Sequence, residues 1–181
     1  KHIHDIQEYL VNFLVTSVND PIYHPTVIPD FNGSELDEYQ KTAVEMCLSK
    51  NISVITGSAG SGKTTTLRWI IKSLKLHGIP YICASYMGIA VSRIKEATGD
   101  SQAATLDMMI ASPDRYRGFK HIFIDEASTT CAELLHRFLN TFLPKGCSND
   151  DKFAVTFLGD SKQLPPIDYG GVFDQLIKSR V

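Results

Sequence analysis

The sequence predicts an α/β fold in which a parallel sheet carries helices on both faces. Short apolar runs rich in β-branched and aromatic residues alternate along the chain with longer amphipathic segments. Strands that are separated by helices run parallel and are buried on both sides. The four predicted strands cover residues 52–56, 81–85, 119–124 and 153–158.

The composition indicates a globular protein of 181 residues, with 43% hydrophobic and 21% charged residues. Its net charge of -2 argues against a surface that holds DNA or RNA through charge alone, although a narrow channel shared with another domain stays open. No apolar run approaches the ~20 residues of a membrane helix, and no signal peptide is visible. We therefore expect an intracellular protein (cytoplasmic, nuclear or viral) without a membrane partner.

The four cysteines are widely spaced and form no metal-binding pattern, so we expect them to be reduced and buried or inert. They are Cys47, Cys83, Cys131 and Cys147. The chain begins at Lys1 rather than at Met and ends inside a helical pattern, and we expect it to be a piece of a longer protein.

The N-terminal part is predicted to be a helix followed by a proline-rich connector, over residues 1–33, and the main domain covers residues 34–181. Apolar residues at helical spacing mark residues 5–18 as a helix. Ser34 is the predicted cap of the next helix, with Asp37 three residues later. The apolar stripe of that helix includes Gln40.

A glycine-rich loop follows the first strand, and the sequence of residues 57–64 matches G-x-x-x-x-G-K-[ST] ahead of a helical pattern. Glycines let successive N–H groups point at phosphate oxygens, and the helix adds its N-terminal donors. Lys63 would reach the β- and γ-phosphates and Thr64 would bind Mg²⁺. A chance Gly/Ser turn is the alternative, but the strand and helix lie where a nucleoside triphosphate site requires them. The predicted binding residues are Gly57, Ser58, Ala59, Gly60, Ser61, Gly62, Lys63, Thr64 and Thr65.

Further along the chain, residues 88–97 are a predicted helix that Gly99 closes. Residues 105–111 are predicted to form a short helix. The next segment, residues 112–114, contains a proline and is expected to break this helix. An amphipathic helix over residues 134–142 precedes the fourth strand.

Two adjacent carboxylates, Asp125 and Glu126, follow the third strand. Their desolvation is costly unless they meet a cation or donors, and Mg²⁺ at Asp125 would supply that compensation. Glu126 is then placed to deprotonate the attacking water. The alternative is a solvated acidic turn, but the phosphate loop favours the functional interpretation.

The fourth strand runs into residues 159–166, which read Gly-Asp-Ser-Lys-Gln-Leu-Pro-Pro. A glutamine in a stiff Pro-Pro loop, Gln163, could sense the γ-phosphate by hydrogen bonding. The alternative is a plain turn. Ligands of such sheets bind beyond the carboxyl ends of the strands, where all three of these segments lie.

Taken together, these segments resemble the first RecA-like domain of superfamily-one helicases, most closely the RecD-like helicases, which is a P-loop NTPase fold. Residues 36–43 resemble the Q motif, whose glutamine, here Gln40, would bind adenine. The phosphate loop is similar to motif I and residues 125–128 to motif II. Motif III is matched closely by residues 159–166 and continued by 170–173.

The resemblance also implies a contact with single-stranded nucleic acid. Residues 84–93 resemble motif Ia, and residues 104–107 resemble the segment after it. Tyr86, Met87 and Ile89 replace the usual proline, threonine and basic residue, which should weaken phosphate contacts. Tyr86 could compensate by stacking on a base, a contact worth ~1–3 kcal/mol; the alternative is that Tyr86 and Met87 pack in the core. The implied nucleic-acid residues are Tyr86, Met87, Gly88 and Thr105.

The implied function is the N-terminal ATP-binding domain of a DNA helicase that uses ATP and Mg²⁺ to move 5′ to 3′ on single-stranded DNA. The catalytic residues would be Lys63, Glu126 and Gln163, with Thr64 and Asp125 on the metal. A second RecA-like domain, expected beyond residue 181, would supply an arginine finger worth ~10³–10⁵ in turnover, so this piece alone should hydrolyse ATP poorly.

Two other functions fit the sequence. One is an RNA helicase of the viral replication type, and the other is a nucleotide-binding scaffold without motor activity. A small-molecule kinase is less favoured, because it would not need residues 163–166.

Overall fold

The computed structural model describes residues 5–6, 10, 12–14, 17, 20, 22–99, 102–143, 152–160 and 172–178. Its strands are β1 (Ile52–Thr56), β2 (Tyr81–Ser85), β3 (Ala103–Thr105), β4 (His121–Asp125) and β5 (Ala154–Gly159). They pair in parallel in the order β1-β5-β4-β2-β3. The carboxyl ends of these strands therefore lie along one edge of the sheet.

Helices connect the strands. They are α1 (Glu38–Ser49), α2 (Lys63–Leu76), α3 (Gly88–Thr98), α4 (Leu106–Ala111), α5 (Pro113–Tyr116), α6 (Ala132–Phe142) and α7 (Val172–Lys178), with a 3-10 turn at Ala127–Thr129. The described residues between 5 and 17 also have helical backbone. Within the described ranges, no helix is both long enough and apolar enough to span a bilayer.

Both faces of the sheet are covered, as the sequence predicts. Successive side chains of a strand point to opposite faces, and β2 shows this directly. Tyr81 and Cys83 belong to a core shared with α1 and α2, whereas Ile82 and Ala84 belong to a core shared with α6. The α/β prediction with helices on both faces is confirmed.

The start of α1 differs from the prediction. Asp37, not Ser34, is the N-cap: its carboxylate accepts from the Gln40 N–H at 2.8 Å, and the Gln40 side-chain oxygen accepts from the Asp37 N–H at 3.1 Å. A capping box needs a long carboxamide or carboxylate at the third helical position, which Gln40 provides for Asp37. The Ser34 hydroxyl is buried and has no hydrogen-bond partner among the described residues.

Two short elements were not predicted. The edge strand β3 has three residues, too few for a visible alternation, and the helix expected from Thr105 begins one residue later with Thr105 as its cap. Residues 112–114 were expected to break the helix. In the structure they lead instead into α5, which begins at Pro113, because proline is well suited to the first turn of a helix.

Residues from the predicted N-terminal part contribute to both cores. Ile6, Leu10 and Leu14 are buried in one, and Val27 in the other. The domain boundary at residue 33 stays a prediction.

Two cysteines, Cys47 and Cys83, are buried and Cys131 is half-buried, which fits the expectation of buried thiols, while Cys147 lies outside the described residues. Burial raises the pKa of the Cys47 thiol to about 11.

A chain of hydrogen-bonded, buried polar side chains crosses three neighbouring strands of the sheet. The imidazoles of His24 and His121 meet at 3.3 Å, His121 meets the Thr156 hydroxyl at 2.8 Å, and Thr156 meets the Ser53 hydroxyl at 2.8 Å. Burial, reinforced by His24, lowers the pKa of His121 to about 3. These contacts join β1, β5 and β4, which are adjacent in the sheet.

Candidate functional site

The phosphate loop connects β1 to α2. Its backbone follows the sheet at first, with the Gly57 N–H donating to the Gly159 carbonyl at 3.3 Å. Gly60 (φ 79°) and Gly62 (φ 88°) then adopt left-handed conformations that favour glycine. None of the described side chains caps the N-terminus of α2, so its first N–H groups can bind an anion.

The Lys63 side chain lies back over this loop. Its amine donates to the carbonyl oxygens of Gly57 at 2.5 Å and Ser58 at 3.0 Å. The loop therefore binds the amine of its own lysine, and a phosphate group would compete with these two carbonyls for that amine.

The two predicted carboxylates lie at the end of β4. Asp125 is its last residue, and Glu126 follows in a left-handed conformation (φ 53°) that non-glycine residues rarely adopt. The N–H and hydroxyl of Thr129 hold this turn by donating to the Glu126 carbonyl at 2.9 and 2.8 Å. Such strain is concentrated at functional sites.

The Asp125 carboxyl has a raised pKa. Burial is the main cause and the Glu126 carboxylate adds to it, while the Glu126 backbone N–H and the Lys63 ammonium oppose it. A cation placed here would therefore relieve both the desolvation and the repulsion between the two acids.

The loop and the acids line one cleft of about 440 Å³, within the usual range for small-molecule sites. Lys63, Thr64, Asp125 and Glu126 all contribute to it. The cleft is also lined by Ala59, Gly60, Gly62, Thr65, Leu67, Arg93, Ile94, Ala97, Thr98 and Leu158. The structure thus brings together most of the predicted phosphate and metal residues.

A magnesium ion fits the oxygen ligands that this cleft provides, namely the Thr64 hydroxyl and the Asp125 carboxylate. In the part of the chain that the structure describes, no group of three or more His, Cys, Asp or Glu side chains could hold a metal. Mg²⁺ at phosphate-transfer sites is commonly held by one or two carboxylates together with substrate phosphates.

Gln40 lies beside the phosphate loop although it belongs to the preceding helix. Its side-chain oxygen serves the capping box, and its amide nitrogen occupies the place where a Cβ on Gly62 would be. The residue predicted to bind adenine is therefore adjacent to the loop predicted to bind phosphate.

One face of α3 completes the cleft, and the sequence did not predict it. Arg93, Ile94, Ala97 and Thr98 have the spacing of residues on one helical face. The Arg68 guanidinium of α2 donates to the Ala97 carbonyl, which ties the two helices together. That spacing is the only sequence signal for this face, and it would also fit packing.

The predicted nucleic-acid residues lie at the same edge of the sheet but do not line the cleft. Tyr86 and Met87 are 45% and 54% exposed, so the alternative that they pack in the core is wrong. Gly88 is exposed at the start of α3. The Thr105 hydroxyl accepts from the Met108 N–H at 3.1 Å as the cap of α4.

The remaining catalytic residue, Gln163, lies outside the described residues, as do most of residues 159–166. Its role as a γ-phosphate sensor stays a prediction.

Comparison with known proteins places the chain in a family. A family profile described as an AAA domain matches residues 35–181. The RecD subunit of the RecBCD enzyme of Mycobacterium tuberculosis is 28% identical over 187 residues, covering 84% of this chain and 31% of that protein. The ATP-dependent DNA helicase Pif1 of a Psychrobacter species is 30% identical over 148 residues, covering 73% of this chain and 22% of that protein.

A solved structure shares the fold. Pif1 helicase from Bacteroides, in complex with ADP-AlF3 and single-stranded DNA, has a TM-score of 0.54 and 24% identity, covering 79% of this chain and 36% of that chain. The chain spans less than a third of the length of the two sequence relatives. On the profile match and these relatives, the chain belongs to the AAA domain family, as a RecD-like motor domain of the superfamily-one helicases.

Proposed function

We propose that this chain is the ATP-binding motor domain of a DNA helicase that couples ATP hydrolysis to movement along single-stranded DNA and to duplex unwinding. The observation that carries the proposal is that Lys63, Thr64, Asp125 and Glu126 line one shared cleft. The cleft lies beside the N-terminus of α2, which no described side chain caps. The two sequence relatives described above are a RecD and a Pif1 protein, and the Pif1 relative is described as an ATP-dependent DNA helicase.

In this proposal the triphosphate of ATP occupies the loop. Its oxygens replace the Gly57 and Ser58 carbonyls as acceptors for the Lys63 amine and also accept from the first N–H groups of α2. Thr64 and Asp125 would hold Mg²⁺, which neutralises charge on the β- and γ-phosphates. Gln40, beside Gly62, would bind the adenine.

Glu126 is the proposed general base. Its carboxylate lines the cleft on the side of the metal ligand Asp125, and its strained backbone is held by Thr129. There it would orient a water molecule for attack on the γ-phosphorus and accept its proton. Gln163 would sense the γ-phosphate, a role that rests on the sequence alone.

Single-stranded DNA is proposed to contact the exposed side chains between β2 and α3. Tyr86 and Met87 offer an aromatic ring and a polarisable thioether to bases rather than charge to phosphates. Gly88 and Thr105 would allow the DNA strand to come close to the protein at the same edge of the sheet. The likeness to a Pif1 structure that contains single-stranded DNA supports DNA as the bound nucleic acid. The proposed 5′ to 3′ direction of movement comes from the RecD-like resemblance of the sequence.

The complete protein is proposed to contain a second RecA-like domain that closes over the nucleotide and supplies an arginine finger. The greater length of the relatives supports this. The isolated domain would then bind ATP but turn it over slowly. An intracellular location follows from the same proposal, because ATP and DNA are found there.

The test is Lys63→Ala in the full-length protein. It should abolish ATPase and unwinding together, because one cation serves both the bound triphosphate and its transition state. Lys72→Ala is the matched control: it removes a lysine of the same helix that lies 4.2 Å over the Trp69 ring, outside the cleft. Unwinding that survives Lys63→Ala would contradict the proposal.

Comparing how strongly single-stranded DNA and single-stranded RNA stimulate the ATPase identifies the nucleic acid along which the protein moves. The proposal expects the larger stimulation with DNA. Stimulation by RNA alone would replace the DNA helicase with an RNA helicase, and nucleotide binding without stimulation by either polymer would indicate a scaffold.

A further inference from the structure

A second positively charged side chain, Arg93, lines the nucleotide cleft in addition to Lys63. The described ionisable residues that line it are Lys63, Asp125, Glu126 and Arg93. Lys63 is held by two loop carbonyls, whereas Arg93 is exposed and has no hydrogen bond or ion pair with any described residue. An arginine that lines a cleft and has no partner among the described residues is available to a ligand.

The register of two helices places Arg93 along the cleft. Both α2 and α3 follow parallel strands, begin at the carboxyl edge of the sheet and contribute to the same core, so they run in similar directions. The Arg68 guanidinium joins the two helices by donating to the Ala97 carbonyl. Thr64 lies one helical turn before Arg68 on α2, and Arg93 lies one turn before Ala97 on α3. Both Thr64, a proposed metal ligand, and Arg93 line the cleft.

The order of the strands indicates which phosphate Arg93 would contact. Gln40 lies against Gly62, on the β1 side of the cleft, whereas α3 follows β2, which lies beyond β5 and β4. A nucleotide with its base near Gln40 and its phosphates on the loop would direct its terminal phosphate towards β4 and α3. Arg93 is on that side.

Charge balance points to the same role. Among the described residues that line the cleft, the two positive charges of Lys63 and Arg93 balance the two negative charges of Asp125 and Glu126. Arg93 therefore adds a second cationic side chain for a polyphosphate, besides Lys63 and the proposed Mg²⁺. Guanidinium is also the side chain best matched to phosphate oxygens, because its donors form a planar fork.

We propose that Arg93 binds the terminal phosphate of ATP, as an arginine supplied by this domain in addition to any from a partner domain. The proposal rests on the proposed function of the cleft. It assigns Arg93 to the discrimination between ATP and ADP, because only ATP has the phosphate that it contacts.

The test measures the dissociation constants of a non-hydrolysable ATP analogue and of ADP, with Mg²⁺, for the full-length protein. Arg93→Ala should weaken the analogue about ten- to a hundredfold, the range expected for a hydrogen bond to a charged group, and should weaken ADP far less. Arg93→Lys should recover part of the loss, because it keeps the charge without the fork. Lys95→Ala, which removes an exposed lysine of the same helix outside the cleft, should change neither constant.

The failure of this inference is distinguishable from the failure of the proposed function. Equal weakening of both nucleotides by Arg93→Ala, or no weakening while Lys63→Ala weakens both, would overturn the role of Arg93 and leave the nucleotide site intact. A wild-type protein that binds neither nucleotide would overturn both proposals. An unchanged thermal unfolding midpoint in Arg93→Ala shows that the variant is folded, so that its constants are decisive.

Discussion

The substitution Thr156→Val tests how the site-bearing strands are held together. Valine has nearly the same shape as threonine but lacks the hydroxyl that joins His121 and Ser53, both at 2.8 Å. The change leaves the facing polar atoms of His121 and Ser53 without this buried hydrogen-bond partner, at a cost of about 1–3 kcal/mol each. We therefore expect the free energy of unfolding to fall by about 2–6 kcal/mol, a large part of the roughly 5–15 kcal/mol typical of a domain.

Urea unfolding followed by circular dichroism measures this loss. The matched control is Thr141→Val, which removes a hydroxyl that donates to the Arg137 carbonyl within α6 at 2.8 Å, on a half-buried residue. Because that carbonyl keeps its helical environment, we expect a loss below about 1 kcal/mol. If Thr156→Val costs no more than Thr141→Val, the polar chain does not hold β1, β5 and β4 together and the reasoning is refuted.

Two further predictions concern the His121 chain and the phosphate loop. The lowered pKa of His121 means that the unfolded state binds a proton at this residue more readily than the native state does. The stability that the neutral His121 contributes is therefore complete above about pH 6.5 and is lost as the pH falls towards 3. At pH 5 the free energy of unfolding should be lower by about 2 kcal/mol. Urea unfolding at several pH values checks this, and an unchanged slope in His121→Gln would contradict it. Gly62→Ala and Gly60→Ala both place a side chain at positive φ, but only at Gly62 would the new Cβ displace the Gln40 amide. The preference for ATP over GTP in competition binding should therefore fall only in Gly62→Ala, and equal losses in the two variants would separate Gln40 from adenine recognition.

The main strands could be predicted because their signals are local. Residues 52–56 and 81–85 are apolar runs bounded by turn residues, and both are strands with those bounds. The end of α3 was equally local, since Gly99 adopts the left-handed conformation of a helix C-cap. The sequence also indicated that the loop and the acids share an edge, because the carboxyl ends of parallel strands do.

The missed features depend on contacts between distant residues. His24 and His121 meet across 97 positions, and neither position has a distinctive neighbourhood in the sequence. Arg93 looks like any charged residue of an amphipathic helix until the fold places α3 beside the phosphate loop, where both line the same cleft. The capping role of Gln40 was hidden because Ser34 offered a plausible earlier helix start, whereas the chain enters the helix at Asp37.

The measurement that most directly tests the shared cleft is a crystal structure of the full-length protein with a non-hydrolysable ATP analogue and Mn²⁺ in place of Mg²⁺. We predict that the phosphates lie in the loop of residues 57–64, with the Lys63 amine released from the Gly57 and Ser58 carbonyls. The anomalous signal of manganese should lie between the Thr64 hydroxyl and the Asp125 carboxylate. A metal that contacts neither residue, or a nucleotide bound away from the loop, would contradict the account.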